Sequence, residues 1–291
     1  MRSPAIFRRS FSETINSANP TVPTADLPLY SNLLMGNADV RDPTGQSRQK
    51  SDPSLPFLEQ HGFTAVLWGW DGVLVDSGYN FYHAYEMVLR HEGIVTNPRE
   101  IYLREGEPTP RLLRTIFDRH NVSIDDDRIK ELVIRRREYD AGLAERRLFP
   151  SVPRVVDRLR QAGCRMGIVT GSSRNSLERV LTEDQARWFD VIITADDVVR
   201  GKPHPEPFLL AARALKIEPE KCIVIENAPF GVDAARSAGC AAAAICTTLS
   251  KEDLGRANWI VKDHEELEVL LLRDTPQDAA EKMSLVSGDS R

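Results

Sequence analysis

Short apolar runs that each end at a polar cluster recur through the middle of the chain. The first run, at 65–68, reads AVLW and is broken by Gly69 and Gly72. Runs of this kind are typical of strands that are buried on both faces of a parallel sheet. Five more runs follow, at 166–170, 191–194, 222–225, 243–246 and 259–261, and stretches with helical spacing separate them. The alternation predicts an α/β fold with a parallel sheet at its core.

One stretch departs from this alternation. From about residue 79 to residue 147, apolar positions recur at helical spacing and no strand pattern interrupts them; Tyr82, Tyr85 and Leu89 are the first examples. Such spacing places apolar side chains on one face of each helix. The sequence therefore predicts an all-helical insert directly after the first strand.

The two ends of the chain lack any sustained apolar period. The predicted organisation is a disordered leader at 1–60, a core at 61–78 and 148–274, a helical cap at 79–147 and a flexible tail at 275–291. Three arginines precede the first acid of the leader, which is a feature of organelle transit peptides, but later acids oppose that interpretation. The predicted location is cytoplasmic, and import into an organelle by the leader stays open.

Composition narrows the range of partners. The 291 residues include 43 acids and 38 lysines and arginines, which gives a net charge of -5 and argues against a nucleic-acid binder. No apolar run is long enough to cross a membrane. With neither a nucleic acid nor a membrane expected, a small molecule, with or without a protein partner, is the expected ligand. The four cysteines form no C-x-x-C pair, which favours buried, reduced thiols: Cys164, Cys222, Cys240 and Cys246.

Candidate chemistry lies where the predicted strands end. Asp71 follows the first strand, and in open parallel sheets ligands bind outside the carboxyl ends of the strands. Asp76 and Ser77 could cap the next helix. Thr170 follows the second strand and precedes another helix, so its hydroxyl group is expected beside a helix N-terminus, where anions bind. The sequence thus predicts a phosphate site at this edge of the sheet.

Four segments, in order, resemble the four motifs of the haloacid dehalogenase-like (HAD) phosphatase superfamily: W-D-G-V-L-V-D-S, T-G-S-S, G-K-P-H-P and E-N-A-P. The resemblance covers about residues 64–272 and is to the subclass with a helical cap that includes phosphoglycolate phosphatases and β-phosphoglucomutases. It implies a Rossmann-like parallel sheet core with an inserted all-helical cap domain. It also implies a Mg²⁺-dependent site for a small phosphorylated molecule or for phosphate.

The resemblance implies a role for each matching residue. Asp71 would act as general acid and base, while Thr170 and Lys202 would hold the phosphoryl group. The Mg²⁺ ligands would be Asp71, through its backbone carbonyl, together with Glu226 and Asn227. Substrate would contact residues of the second motif and of a cap loop, namely Gly171, Ser172, Arg104, Glu105 and Gly106.

Two positions depart from the family pattern. The aspartate nucleophile of the family falls on Gly69, which has no carboxylate to become phosphorylated, and the second acid of the fourth motif is Asn227. With two anionic oxygen ligands replaced, Mg²⁺ binding is expected to be weakened or lost. The favoured hypothesis is a pseudoenzyme that keeps a phosphate or phosphomonoester pocket. The alternative is an active hydrolase of a small phosphomonoester, such as a phosphorylated sugar or glycolate, which works by direct water attack or with an unusual nucleophile.

Two other clusters have alternative interpretations. The cap-loop residues 104–107 either face substrate or simply connect two helices. The arginines at 135–137 either attract an anionic substrate or lie on a solvated helix face that Glu131 and Glu138 balance, and the second interpretation is favoured. His204, which lies between two prolines, is expected on a loop surface and not as a ligand.

Overall fold

The computed structural model describes residues 56–143 and 145–272. The predicted tail and all but the last five residues of the predicted leader therefore lie outside the described residues. Those five residues correct the prediction, because helix α1 occupies Pro56–Gln60. Phe57 is buried there with its ring centroid 5.2 Å from that of Trp259, in an edge-on arrangement. Aromatic packing of this kind holds the segment against the core.

The core is a single sheet of six parallel strands. In sheet order these are β5 (Val191–Ile193), β4 (Arg165–Val169), β1 (Ala65–Trp68), β6 (Cys222–Glu226), β7 (Ala241–Ile245) and β8 (Trp259–Val261). The strands agree with the predicted apolar runs to within about two residues, and the predicted Rossmann-like α/β core is confirmed. Because all six run the same way, their carboxyl ends share one edge of the sheet.

Both faces of the sheet are buried. Along β1, Val66 and Trp68 join one apolar cluster, and Ala65 and Leu67 join the cluster on the opposite face. This division follows from the two-residue period of a strand. Helices cover the two faces: α6 (Val152–Gln161), α7 (Arg174–Glu178), α8 (Glu183–Ala186), α9 (Glu206–Leu215), α10 (Pro229–Ser237) and α11 (His264–Leu272). Short 3-10 helices occupy Ala195–Asp197, Pro219–Lys221 and Lys251–Leu254.

The predicted helical insert is present between β1 and β4. It consists of α2 (Gly78–His91), α3 (Pro98–Tyr102), α4 (Thr109–Arg119) and α5 (Asp126–Gly142). These helices enclose an apolar cluster of their own that includes Tyr85, Leu113 and Phe117. Two short antiparallel strands, β2 (Val75–Asp76) and β3 (Arg147–Leu148), pair where the chain leaves and re-enters the core. The insert is thus a small domain that is tied to the core at its base.

Several smaller expectations can be compared with this fold. Cys164, Cys222 and Cys240 are buried free thiols, as predicted, whereas Cys246 is only partly buried. Burial raises the pKa of the Cys164 thiol to about 12, which keeps it protonated. Arg135 forms an ion pair with Glu131, in agreement with a solvated helix face. Within residues 56–143 and 145–272, no helix is both long enough and apolar enough to span a membrane.

Candidate functional site

Asp71 lies just beyond the carboxyl end of β1, and two serine hydroxyl groups hold its carboxylate. Ser77 Oγ donates to Asp71 Oδ1 at 2.8 Å, and Ser172 Oγ donates to Oδ2 at 2.7 Å. Ser77 does occupy the N-cap position of α2, but its side chain makes no capping hydrogen bond. The predicted capping role of Ser77 is therefore wrong: its hydroxyl donates to Asp71, and no helix N–H donates to its oxygen. Both carboxylate oxygens of Asp71 are oriented in this way.

The Thr170 segment brings the end of β4 against the end of β1. Thr170 is buried, its backbone N–H donates to Ile193 O at 2.9 Å, and its Oγ1 accepts from the N–H of Ser172 at 2.9 Å. The turn at Gly171 thereby directs the Ser172 hydroxyl to Asp71. Three residues that the sequence pointed to thus form one connected group, although Asp71 and Ser172 are 101 positions apart.

Lys202 supplies a buried positive charge at the same edge. Its side chain is 7% exposed, and its Nζ donates to Val169 O at 3.0 Å. The same ammonium group forms an ion pair with Glu226 Oε1, and it lies 5.3 Å from the centroid of the Phe208 ring. A buried ion pair needs further hydrogen bonds to offset the loss of hydration, and the Val169 carbonyl provides one for Lys202.

The Glu226 side chain has room only because residue 231 is a glycine. A Cβ atom at Gly231 would overlap the Glu226 carboxyl group, so the first turn of α10 leaves a space that the carboxylate fills. Glu226 Oε2 accepts from the backbone N–H of Asn227 at 3.3 Å. The sequence E-N-A-P-F-G contains this glycine, but the sequence interpretation assigned it no role. An isolated glycine in a helix can indicate that a side chain approaches the helix backbone closely.

Gly69, at the nucleophile position, has close neighbours on the side where a side chain would begin. Its N–H donates to Ile225 O at 2.8 Å. A Cβ atom there would lie 2.9 Å from Val73 Cγ2, 3.2 Å from the carboxyl carbon of Glu226 and 3.2 Å from Ile225 O. Carbon atoms that are not bonded favour about 3.5–4.0 Å. A Cβ atom at position 69 would therefore require Val73 to shift and would crowd Glu226 and Ile225.

The cap loop between α3 and α4 reaches into this edge of the core. Glu105 Oε2 accepts from Asn227 Nδ2 at 3.0 Å, and Glu105 is 7% exposed. Burial, followed by the nearby negative charges of Asp71 and Glu226, holds the pKa of Glu105 well above its usual range. The loop does contact the core, so it is more than a connection between two helices.

The glycine of the cap loop allows its backbone to lie against Lys202 and Gly171. Gly106 has a φ of +91°, and a Cβ atom on it would lie 3.3 Å from Lys202 Cδ. Conversely, a Cβ atom on Gly171 would lie 3.6 Å from the Gly106 carbonyl oxygen. Positive φ and close backbone contact both favour glycine at this position.

Arg104 has a different environment from its two neighbours in the loop. Its Nη1 lies 3.2 Å from Glu107 Oε2, and Glu107 also pairs with Arg111, Nε to Oε1 2.9 Å. These contacts are internal to the cap. The structure thus brings Glu105 and Gly106 to the core site, while Arg104 is engaged by Glu107.

Two threonines that the sequence interpretation missed complete the surroundings. Thr248 Oγ1 accepts from Asn227 Nδ2 at 3.1 Å, and Thr247 Oγ1 donates to Gly72 O at 2.6 Å. Both follow β7, whose carboxyl end lies on the same edge as those of β1 and β6. The rule that ligands gather at this edge could have pointed to them.

The side chains around the expected Mg²⁺ ligands make contacts within the protein. Glu226 faces Lys202, both Asp71 side-chain oxygens accept from serines, and the Asn227 Nδ2 group points at Glu105 and Thr248. Among the residues that the structure describes, no three acidic, histidine or cysteine side chains gather as metal ligands. Mg²⁺ requires near-octahedral oxygen ligands, and among the three expected ligand groups only the Glu226 carboxylate carries a charge, which is paired with Lys202.

Comparison with known proteins establishes the class to which this fold and site belong. The family model of the haloacid dehalogenase-like hydrolases matches residues 63–239, which is more than half of the chain, and the chain belongs to this family. The matched residues include the four motif segments and the helical insert.

Individual relatives support the same assignment. The chain is 31% identical over 215 residues to validoxylamine A 7'-phosphate phosphatase of Streptomyces hygroscopicus subsp. limoneus, covering 70% of this chain and 96% of that protein. It is 28% identical over 259 residues to the chloroplastic 5-amino-6-(5-phospho-D-ribitylamino)uracil phosphatase of Arabidopsis thaliana, covering 85% and 69%. The structure of β-phosphoglucomutase from Clostridium difficile has the same fold, with a TM-score of 0.61, 22% identity and coverage of 77% and 98%.

Proposed function

We propose that this protein is a pseudoenzyme of the HAD family that binds phosphate or a small phosphomonoester without forming an aspartyl-phosphate. The observation that carries the proposal is the space at Gly69. A glycine offers no nucleophile, and a Cβ atom at this position would lie 2.9 Å from Val73 Cγ2 and 3.2 Å from the carboxyl carbon of Glu226. Replacement of the nucleophile is thus accompanied by close packing of Val73 and Glu226 around its position.

The binding part of the proposal rests on the donors that remain. Thr170 and Lys202 lie beyond the carboxyl ends of parallel strands, where the Thr170 hydroxyl and the third ammonium proton of Lys202 could donate hydrogen bonds to phosphoryl oxygens. Two family carboxylates are replaced, at Gly69 and Asn227, which lowers the negative charge that opposes an anion. Lys202 would be the main positive charge for the ligand.

We also propose that Mg²⁺ binds weakly or not at all at this site. Two observations support this: the Glu226 carboxylate is paired with Lys202, and the second acid of the family motif is the uncharged Asn227. Isothermal titration calorimetry of Mg²⁺ into wild type and into Asn227→Asp tests it. The variant should bind Mg²⁺ more tightly, since it restores an anionic oxygen. Tight Mg²⁺ binding by wild type, in the micromolar range, would contradict the proposal.

The function itself is tested by binding and turnover measured on the same preparations. Calorimetry with inorganic phosphate should give binding to wild type and a loss of at least about tenfold for Lys202→Met, because a charge-assisted contact is removed. A panel of phosphomonoesters should give negligible turnover with wild type. Turnover near the enzyme median of about 10 per second would show that another group supplies the attack.

The alternative is an active hydrolase, and one observation favours it. The Asp71 carboxylate is oriented by two serines, and it could accept a proton from a water that attacks phosphorus as the ester oxygen departs. Loss of turnover in Asp71→Asn, together with retained phosphate binding, would support this alternative. Without measurable wild-type turnover, it fails.

The ligand class and the remaining assignments follow the relatives. Two relatives are named as phosphatases of validoxylamine A 7'-phosphate and of a ribitylaminouracil phosphate, and we propose a hydroxylated phosphomonoester as the ligand. The predicted leader lies almost entirely outside the described residues, so cytoplasmic location and organelle import both remain predictions. A protein partner also remains a prediction.

A further inference from the structure

Two buried cysteines lie side by side at the amino edge of the sheet, opposite the candidate site. The register of β6 and β7 pairs Ile223 with Ala241, so one step back along both chains Cys222 lies beside Cys240. Both side chains belong to the same apolar cluster, on one face of the sheet. The two residues are 0% and 1% exposed. The fold thus places two thiols together at a position that the phosphate site does not use.

The spacing of the two cysteines suits a disulfide. Neighbouring strands lie about 4.7–4.9 Å apart, and the Cα atoms of a disulfide lie about 4.4–6.8 Å apart. The thiols of Cys222 and Cys240 are also close enough to share a hydrogen bond. Disulfides form when one sulfur attacks the other, and this contact brings the two sulfur atoms within reach.

We propose that Cys222 and Cys240 form a reversible disulfide when the protein meets a peroxide, and that this bond locks β6 to β7. The inference does not rest on the proposed function, because it concerns the opposite edge of the sheet. The loop that the bond closes, 222–240, contains the whole of β6 and α10. Oxidation therefore ties together the strand and the helix that carry the fourth motif.

The reaction consumes one peroxide and two thiols. The Cys222 thiolate attacks a peroxide oxygen, the O–O bond breaks, and the departing hydroxide takes up a proton to become water, which leaves Cys222 as a sulfenic acid. The Cys240 sulfur then attacks the Cys222 sulfur: the S–S bond forms, the S–O bond breaks, and the hydroxyl group leaves with the Cys240 proton as a second water. Each sulfur loses one electron, and the peroxide receives both.

The contact between the thiols favours Cys222 as the first to react. Its sulfur accepts a hydrogen bond from the Cys240 thiol, which lowers the pKa of Cys222 and raises the pKa of Cys240. Burial and the nearby Glu220 carboxylate act against this shift at Cys222. A lowered pKa increases the fraction of thiolate, which is the form that reacts with peroxide.

The pair lies only one residue below the surface. Lys221 and Gly239, which directly precede the two cysteines, are both exposed. The short 3-10 helix Pro219–Lys221 leads into β6, and the carbonyl oxygen of Glu218 just before it lies 3.6 Å from the Cys222 sulfur. A short segment of this kind opens locally more readily than the strands of a sheet. A small oxidant such as hydrogen peroxide can enter through such an opening.

Cys164 is the matched control for this pair. It is also a buried thiol next to the amino end of a strand, β4, but it belongs to the cluster on the opposite face of the sheet. Strand β1 lies between β4 and β6, so Cys164 is two strand spacings, roughly 10 Å, from Cys222. A disulfide does not span more than about 7 Å between Cα atoms, so Cys164 should remain a thiol.

Peptide mapping of the folded full chain tests the proposal. The protein is treated with hydrogen peroxide, denatured, alkylated and digested with trypsin without reductant. Cleavage after lysine and arginine places Cys222 in the peptide 222–236 and Cys240 in the peptide 237–251. We expect these two peptides to be linked, and dithiothreitol to release them. Because Cys246 shares the second peptide, fragmentation must place the bond at Cys240.

Three results of the mapping would overturn the proposal. All four cysteines could still be alkylated after the treatment, which would mean that the pair does not oxidise in the folded chain. The bond could involve Cys164 or Cys246, which would mean that the register does not select the partner. The linked peptides could come from two chains, which a dimer on a non-reducing gel would reveal.

The melting temperature tests whether the bond locks the two strands. Closing a loop of this length should raise the Tm of peroxide-treated wild type by roughly 5 °C or more, and dithiothreitol should reverse the rise. Cys240→Ala should show no shift on the same treatment, whereas Cys164→Ala should show the full shift. Each variant is compared with its own untreated sample, so packing lost through the substitution does not enter. A bond that leaves the Tm unchanged, or an equal shift in Cys240→Ala, would overturn the lock.

Discussion

Adding a side chain at Gly69 should destabilise the protein because of packing rather than backbone strain. Gly69 is not among the glycines with positive φ, so an alanine can adopt its backbone conformation. Its Cβ atom would, however, lie 2.9 Å from Val73 Cγ2 and 3.2 Å from Ile225 O. The backbone oxygen and the stiff valine side chain have little freedom to move away.

The size of the effect follows from these contacts. Overpacking of a buried site costs about 1–3 kcal/mol. Gly→Ala also restricts the unfolded chain, which raises the free energy of unfolding by about 0.4–1 kcal/mol. We therefore expect Gly69→Ala to lower the free energy of unfolding by roughly 1–2 kcal/mol. Gly69→Asp should cost roughly 3–5 kcal/mol, since it also buries a carboxylate beside Glu226 without a new cation.

Urea unfolding followed by tryptophan fluorescence and circular dichroism measures both values. Gly142→Ala is the matched control, because nothing lies within 4 Å of a Cβ atom at that exposed helix position, and it should be neutral or stabilising. Val73→Ala should cost less in the Gly69→Asp background than in wild type, because the two side chains compete for one space.

Two results would refute this reasoning. A neutral or stabilising Gly69→Ala would mean that position 69 has room for a side chain. Equal costs for Gly69→Ala and Gly69→Asp would mean that the charge near Glu226 has no effect. Gain of phosphatase activity in Gly69→Asp is expected to need Val73→Ala as well, since the added carboxylate must first find space.

Three further outcomes follow from the structure. Gly231→Ala should displace Glu226 from its buried ion pair and cost roughly 3–5 kcal/mol in urea unfolding; an unchanged midpoint would contradict this. Burial lowers the pKa of His264, whose Nε2 lies 2.7 Å from Val73 O, so the unfolded chain takes up its proton first as the pH falls below about 6.5. Stability should therefore fall between pH 7.5 and 5.5 by more in wild type than in His264→Gln, and equal slopes would refute the assignment. Phe57→Ala should cost roughly 3–5 kcal/mol in thermal or urea unfolding if α1 is part of the core, while a value near zero would return this segment to the leader.

The sheet and the insert were predictable because their signals are local. A strand buried on both faces must be apolar throughout, and residues 65–68 and 222–225 satisfy this without reference to any other part of the chain. The helices at 78–142 likewise carry their own apolar faces. Segment 56–60 was missed because its stability comes from contact of Phe57 with Trp259, which is about 200 residues away.

The sequence predicted which residues would come together at the site, but not which contacts they make. Residue type and strand ends, together with the family resemblance, pointed to Asp71, Thr170, Lys202 and Glu226, and parallel pairing then required them to share an edge. The replacement of the nucleophile by Gly69 was also visible in the sequence. The sequence did not show whether the space beside position 69 stays open, because that depends on where Val73 and Glu226 pack.

The tertiary structure alone decided which partner each polar group has. Ser77 occupies an N-cap position but makes no capping hydrogen bond, and its hydroxyl donates to Asp71. Glu105 and Asn227 meet across 122 positions, a pairing that no periodicity or local propensity encodes. Hydrogen bonds depend on distances of tenths of an ångström, whereas a sequence pattern specifies only the face and the end of an element.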